Sequence, residues 1–175
     1  MPALIVIENS YSNEDAIERI AYYILNPWKT PGYYVSGHAV NLMNADSIIT
    51  SFRLIKSIYG KLDGRQVRHM IVSFADYEGI TCEDAYRIQS AAISYFRELG
   101  YQAISAVHVP KIKGDHIHFH LAINTVNLYT GQKYSGTYTQ RQEFFEYLKN
   151  LENDGLTWDI KPKYVNSLEE ELSLI

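Results

Sequence analysis

The stretch "QAISAVHVPKIKGDHIHFHLAIN", residues 102–124, decides the fold. Its second half alternates: His116, His118, His120, Ala122 and Asn124 share one parity, and Ile117, Phe119, Leu121 and Ile123 the other. A period of two is the mark of a strand, because successive strand side chains point to opposite sides of the sheet. Residues 116–126 therefore form a strand with its apolar parity turned to a core. Residues 102–109 read as a second strand, and a Lys/Gly loop joins the two. Strands joined this directly pair antiparallel.

The remaining elements extend that hairpin in both directions. "ALIVIEN" (3–9) is a continuous apolar run of the buried-strand type. Residues 12–26 read as a helix: Ser12 and Asp15 stand at capping-box spacing, Ile17, Ile20, Ala21 and Ile24 form one face, and Pro27 ends it. "GYYVSGHAV" (32–40) is a loop or short strand, residues 46–59 are a helix, and residues 67–74 a strand. Residues 81–100 form a strong helix, with Thr81 and Asp84 at its start and Gly100 at its end. A turn follows at 128–134, then a helix over 141–154 closed by Gly155, and "TWDI" (157–160) as a last strand. The order predicts an α+β fold, a central, mainly antiparallel sheet with helices packed on it in two or three layers. One domain spans 1–164, and 165–175 is an acidic C-terminal tail.

Composition narrows the class. The chain has 175 residues with 46% hydrophobic and 21% charged, ordinary for a globular domain with a real core. No apolar run has the length of a membrane span, so no membrane partner is expected. "MPALIVIENS" has no basic residues ahead of its apolar run and does not read as a signal peptide. Cys82 is the single cysteine, so no internal disulfide forms and a reducing, cytoplasmic location is expected. The net charge of −4 argues against coating DNA by charge alone, but allows a local basic patch at Lys111, Lys113 and Lys133.

The histidines carry the chemistry. Same-face neighbours on a strand lie roughly 6.5–7 Å apart, so His116 and His120 are about 13 Å apart. Three in a row on a regular strand cannot all reach one ion at the usual metal–nitrogen distance of about 2 Å. His108 ends the preceding strand and lies across the hairpin. A three-histidine site is thus buildable from His108 and two of His116, His118 and His120. Three neutral imidazoles leave a divalent ion its full charge, which suits Lewis-acid action on a phosphate. The bland alternative is a row of surface or hydrogen-bonded strand histidines.

At this point the residues resemble a family, the MobA/VirD2-like relaxase (mobilisation endonuclease) domains of the HUH endonuclease superfamily. Its third motif runs His-x-Asp, a gap, then His-x-His-x-x-x-Asn. "HIHFHLAIN" supplies His118, His120 and Asn124, with His108 upstream. The family's first motif, a helix tyrosine followed by Ile-x-Asn-Pro-x-Lys-Thr, is matched by "YILNPWKT" (23–30). "VSGHAV" (35–40) and "RHMIVSF" (68–74) resemble the segments between. The motif's aspartate is Pro110 here, and the gap from His108 to His118 is three residues longer. Asp115 is the candidate to take over the aspartate's role. His108, His116 and His118 remain an alternative metal set that hairpin geometry also allows.

The resemblance implies an HUH-like sandwich and site- and strand-specific nicking of DNA for plasmid or conjugative-element mobilisation. A tyrosine attacks the scissile phosphorus and leaves a 5′-phosphotyrosine. It implies a divalent cofactor, Mg or Mn in use with Zn, Ni or Co also able to bind. The implied partners are single-stranded and origin-of-transfer DNA and relaxosome accessory proteins. Tyr23 is the expected nucleophile: it lies nearer the edge of the buried helix face than Tyr22, and the motif aligns it. Tyr33 and Tyr34 are fallbacks and, with Trp28, candidates to stack on bases. Ser73 and Asn124 are supporting candidates, His69 is a recurrent position or a surface residue, and Lys29, Lys111, Lys113 and Lys133 are candidate phosphate contacts. A replication initiator of the same superfamily, a catalytically inactive DNA-binding accessory domain and an unrelated metal hydrolase are the rival readings.

Overall fold

The computed structural model describes residues 3–8, 11–74, 79–111, 116–151 and 160–165. Among them the chain forms β1 (Ala3–Ile7), α1 (Ala16–Ile24), a 3₁₀ turn (Gly32–Tyr34), β2 (Val35–His38), α2 (Ala45–Ile58) and β3 (Val67–Ser73). Then come α3 (Cys82–Glu98), β4 (Tyr101–His108), β5 (His118–Asn127), α4 (Tyr138–Lys149) and β6 (Lys161–Val165). The six strands make one sheet in the order β2-β4-β5-β3-β1-β6. Every pairing is antiparallel except β1 with β6. The α+β expectation of a mainly antiparallel sheet holds, and the arrangement is three-layered.

Strand parity sorts the core into two halves. Leu4, Val6, Met70, Val72, Phe119, Leu121 and Ile123 face α3 and α4, where Ile88, Phe96, Phe144 and Leu148 complete a closed cluster. Ile104, Ala106 and Ala122 face the other way, under Ile17, Ile20 and Ile24 of α1 and Ile48 and Phe52 of α2. Each such Ile, Leu or Phe contributes about 1.5–3 kcal/mol by leaving water. The small residues Ala106 and Ala122 let α1 settle low on the sheet, which brings its C-terminal end down to the histidines.

Three local expectations need correction. Helix α1 begins at Ala16, and its N-cap Asp15 makes no side-chain capping bond, so Ser12 and Asp15 do not form a capping box. The final helix runs over 138–149, because Thr137 and Gln140 make a full capping box ahead of the expected start. Residues 152–154 and Gly155, expected as its last turn, lie outside the described residues. Of the strand expected over 157–160, residues 157–159 lie outside the described residues; a strand forms at Lys161–Val165, where Lys161, Pro162 and Lys163 suit an edge strand facing solvent. Its last residue, Val165, is buried beside Ile7, while 166–175, the rest of the expected tail, lies outside the described residues. By contrast α3 follows the sequence closely: Thr81 and Asp84 form the capping box, and Gly100 follows at φ +82, which an L side chain resists.

Candidate metal centre

Hairpin register assembles the site. His108 pairs directly with His118, and Ala106 with His120, so the three imidazoles meet at one end of the α1 face. Ring centroids are 4.3 Å apart for His108 and His120, 5.0 Å for His118 and His120, and 5.2 Å for His108 and His118. One nitrogen from each lies within 4.8 Å of the others. Among the described residues this is the group able to hold a metal ion, and it contains imidazoles alone.

Each ring is oriented by a bond through its other nitrogen. His118 Nδ1–H donates to the His116 carbonyl at 2.9 Å, and His108 Nε2–H donates to the Ile24 carbonyl at 2.9 Å. His120 Nδ1 lies 2.9 Å from Nε2 of His69, whose Nδ1 lies 2.8 Å from Tyr11 Oη. The nitrogens His108 Nδ1 and His120 Nε2 are buried with no hydrogen-bond partner among the described residues. Buried polar atoms in that condition are rare and call for an explanation. A cation between them supplies one, and three histidines with room for further ligands make an open site rather than a closed structural one. Burial also pushes His108 and His69 down to about 3 and His120 well below its ordinary value, with like-charge repulsion between the rings adding to it. Neutral rings meet a metal without proton competition at pH 7. The residues present therefore fit a divalent ion.

Tyr23 stands over this group. Ile20, Ala21 and Ile24 bury the sheet-facing side of α1, which leaves Tyr23 at the edge of that side. Its ring lies 5.0 Å from that of His120, edge to face, and 5.9 Å from that of His108. Lys29 Nζ sits 4.6 Å from the centre of the same ring. The Asn-Pro turn makes this possible: the Asn26 carbonyl accepts from Lys29 and Thr30 N–H, and the Lys29 carbonyl accepts from Val109 N–H at 2.9 Å. The segment after the helix is thus folded back onto β4, beside His108. Tyr22 points away, exposed, and donates to Asp46 Oδ1 at 2.5 Å; that bond raises its pKa. Tyr33 and Trp28 are exposed, and Tyr34 donates to Glu83 and packs toward α3, on the opposite side of the sheet.

Other expected residues sort by position. His116 contributes its carbonyl to His118, and its ring is not among the three that converge. Asp115 and Lys113 lie outside the described residues; Lys111 is exposed just past β4. Ser73 pairs with His118 on the same face, 1% exposed. Asn124 also shares that face but is buried, with its amide given to the Phe52 carbonyl and Gln102 Oε1, so it holds α2 and β4 together rather than facing the cluster. Lys133 does not join Lys111 in one patch. It bridges to Val126, roughly 27 Å along β5 from His118, and its Nζ is tied to Asp63. His69 is 1% exposed, which removes the surface alternative. Sequence reasoning missed Tyr11 entirely. His69 had a signal, since it shares parity with Val67, Ile71 and Ser73, but using it required knowing that β3 lies beside β5.

A sandwich with converging sheet histidines under a helix tyrosine defines a class, and comparison with known proteins places the chain in it. The chain belongs to the relaxase family, MobA/VirD2-like nuclease domain, whose pattern matches residues 23–155 and so begins at Tyr23. The group II intron-interrupted relaxase LtrB of Lactococcus lactis subsp. cremoris is 30% identical over 146 residues, 70% of this chain and 25% of that protein. Protein rlx of Staphylococcus aureus is 31% identical over 113 residues, 65% of this chain and 33% of that protein. The chain spans about a quarter to a third of the length of these relatives. No solved structure matches it.

Proposed function

We propose that this chain nicks one strand of DNA at an origin of transfer and holds the cut end covalently. Tyr23 Oη attacks the scissile phosphorus and forms a Tyr–O–P bond to the 5′-phosphate. The P–O3′ bond breaks, and the departing oxygen takes a proton to become a 3′-OH. One phosphodiester replaces another, so the reverse step can rejoin the strand. A phenol of ordinary acidity, near 10, is a weak nucleophile at neutral pH, so both its position and the local charge matter. The observation that carries the reading is the Tyr23 ring 5.0 Å from His120, over three imidazoles whose nitrogens converge.

His108, His118 and His120 are the proposed ligands, through Nδ1, Nε2 and Nε2. A bound divalent ion, Mg or Mn in use with Zn, Ni or Co as substitutes, supplies charge against the developing phosphoryl anion. Lys29, 4.6 Å from the Tyr23 ring centre, brings a second positive charge to the same place. The Ile24 and His116 carbonyls orient two of the ligands. Single-stranded origin DNA is the substrate, relaxosome accessory proteins are the expected company, and the reaction takes place in the cytoplasm.

The test uses single-stranded oligonucleotides tiled across the DNA that flanks the chain's own gene, with Mn²⁺. A denaturing gel should resolve a covalent protein–DNA adduct for one oligonucleotide. Tyr23→Phe should abolish it, Tyr22→Phe should retain it, and chelation should remove it. Adduct formation by Tyr23→Phe, or DNA binding with no adduct from any oligonucleotide, would replace this reading with that of another nucleophile or of a DNA-binding accessory domain.

A further inference from the structure

His120 Nδ1 and His69 Nε2 lie 2.9 Å apart, and neither ring reaches solvent. One proton is shared between two neutral imidazoles, so one ring donates and the other accepts. The two assignments differ in consequence. If His69 donated, His120 would carry its own proton on Nε2. That atom is buried, has no partner among the described residues, and belongs to the group it forms with His108 and His118. The result would be a buried N–H with nothing to receive its proton. If His120 donates from Nδ1, its Nε2 offers a lone pair to that group. His69 then keeps its proton on Nδ1, 2.8 Å from Tyr11 Oη, which can accept it. Only this assignment gives both ring protons of the pair an acceptor.

Tyr11 is built for the part. It sits at φ +70, a left-handed conformation that side chains with a Cβ adopt at a cost. Its carbonyl accepts from Gln66 N–H at 2.8 Å, which fixes the residue beside the start of β3 and its ring edge-on to His69.

We propose that His69, anchored by Tyr11, is the positioning residue of this centre: it sets the tautomer and the ring orientation of His120, so that Nε2 is the atom given to the ion. The inference rests on the metal reading above. Carboxylates, backbone carbonyls or water usually hold the second nitrogen of a ligating histidine. A neutral imidazole in that place adds no negative charge, so the cation's charge remains available to an anionic phosphate.

Two measurements on the full chain, both without DNA, test this. In the metal-free protein, long-range ¹H–¹⁵N correlation spectra should show His120 protonated at Nδ1; protonation at Nε2 in the wild type overturns the proposal. In calorimetric titration with Mn²⁺, His69→Phe should weaken binding by about 10–100-fold. His69→Gln, whose amide oxygen can take the same proton, should recover most of that loss, and Tyr11→Phe should fall between it and wild type. Equal losses in the Phe and Gln variants, or wild-type affinity in a folded His69→Phe, also overturn it. Should His69→Phe fail to fold, the wild-type tautomer and the Tyr11→Phe titration decide. A wild-type chain that binds no Mn²⁺ sinks the metal reading instead, and the tautomer still decides this one.

Discussion

His120 and Asn124 lie on one face of β5, two same-face steps apart, and neither touches solvent. Asn124 spends its amide on Phe52 and Gln102, and Gln102 in turn donates to the Ala39 and Ser51 carbonyls at 2.7 and 3.1 Å. Nearby, the buried Lys56 ammonium donates to Thr125 Oγ1 at 3.0 Å. Polar burial at this end of the strand is closed: the groups bond to one another and tie α2 to the sheet. At the other end, His108 Nδ1 and His120 Nε2 are aligned but unpartnered among the described residues. The difference separates glue from a binding site. A satisfied buried network rigidifies the fold, whereas converging unsatisfied atoms are half of an interaction whose other half arrives from outside.

That contrast can be broken by experiment. His120→Ala should lower Mn²⁺ affinity more than about 100-fold, equivalent to ~2.7 kcal/mol, while destabilising the metal-free protein less than Asn124→Ala does. Asn124→Ala leaves Gln102 Oε1 without its donor and removes the bond to the Phe52 carbonyl, and should cost about 2–3 kcal/mol in urea unfolding, with Mn²⁺ affinity within twofold of wild type. The reverse pattern would erase the distinction between the two ends. Adding Mn²⁺ at about 100 times its Kd should stabilise wild type and Asn124→Ala by roughly 2.7 kcal/mol, and His120→Ala hardly at all.

Lys56 sharpens the closed end. Burial lowers its pKa to about 8, against about 10.4 for an unfolded lysine. Between those values the unfolded chain holds a proton that the folded chain has released, so stability should rise with pH, by at most about 1.4 kcal/mol per unit. The gain is complete above the unfolded value and is lost as pH falls through about 8. Lys56→Met should flatten that segment of the stability–pH curve; an unchanged slope would assign the rise to another group. The smallest effect expected is on DNA. Lys29→Gln should weaken adduct formation by about fivefold, close to 1 kcal/mol, whereas Lys133→Gln, tied to Asp63 far along β5, should leave it unchanged.

How far the sequence could be read follows from which contacts are local. The alternation in 116–124 and the short loop before it were enough to bring His108 opposite the histidine row, and the register bears that out. Helical phase was enough to separate Tyr22 from Tyr23, since burial along α1 depends only on its own apolar spacing. Contacts that join distant strands were not legible. The His69 to His120 bond spans 51 residues and depends on β3 pairing with β5, and the Tyr11 to His69 bond spans 58 and depends on the segment after β1 lying against β3. Asn124 could be put on the correct face, but the helix above that face, which turns it inward, came from residues 72 positions away. Strand β6 escaped because an edge strand facing solvent has no apolar alternation to betray it.

The carbonyl that steadies His108 belongs to Ile24, the residue directly after Tyr23. One turn of helix therefore fastens both the Tyr23 phenol and a member of the imidazole trio. Unwinding that turn to withdraw the phenol would slacken the trio in the same motion. Under the proposed reaction, this linkage would keep the tethered 5′ end and the three imidazoles in each other's company until the broken strand is resealed.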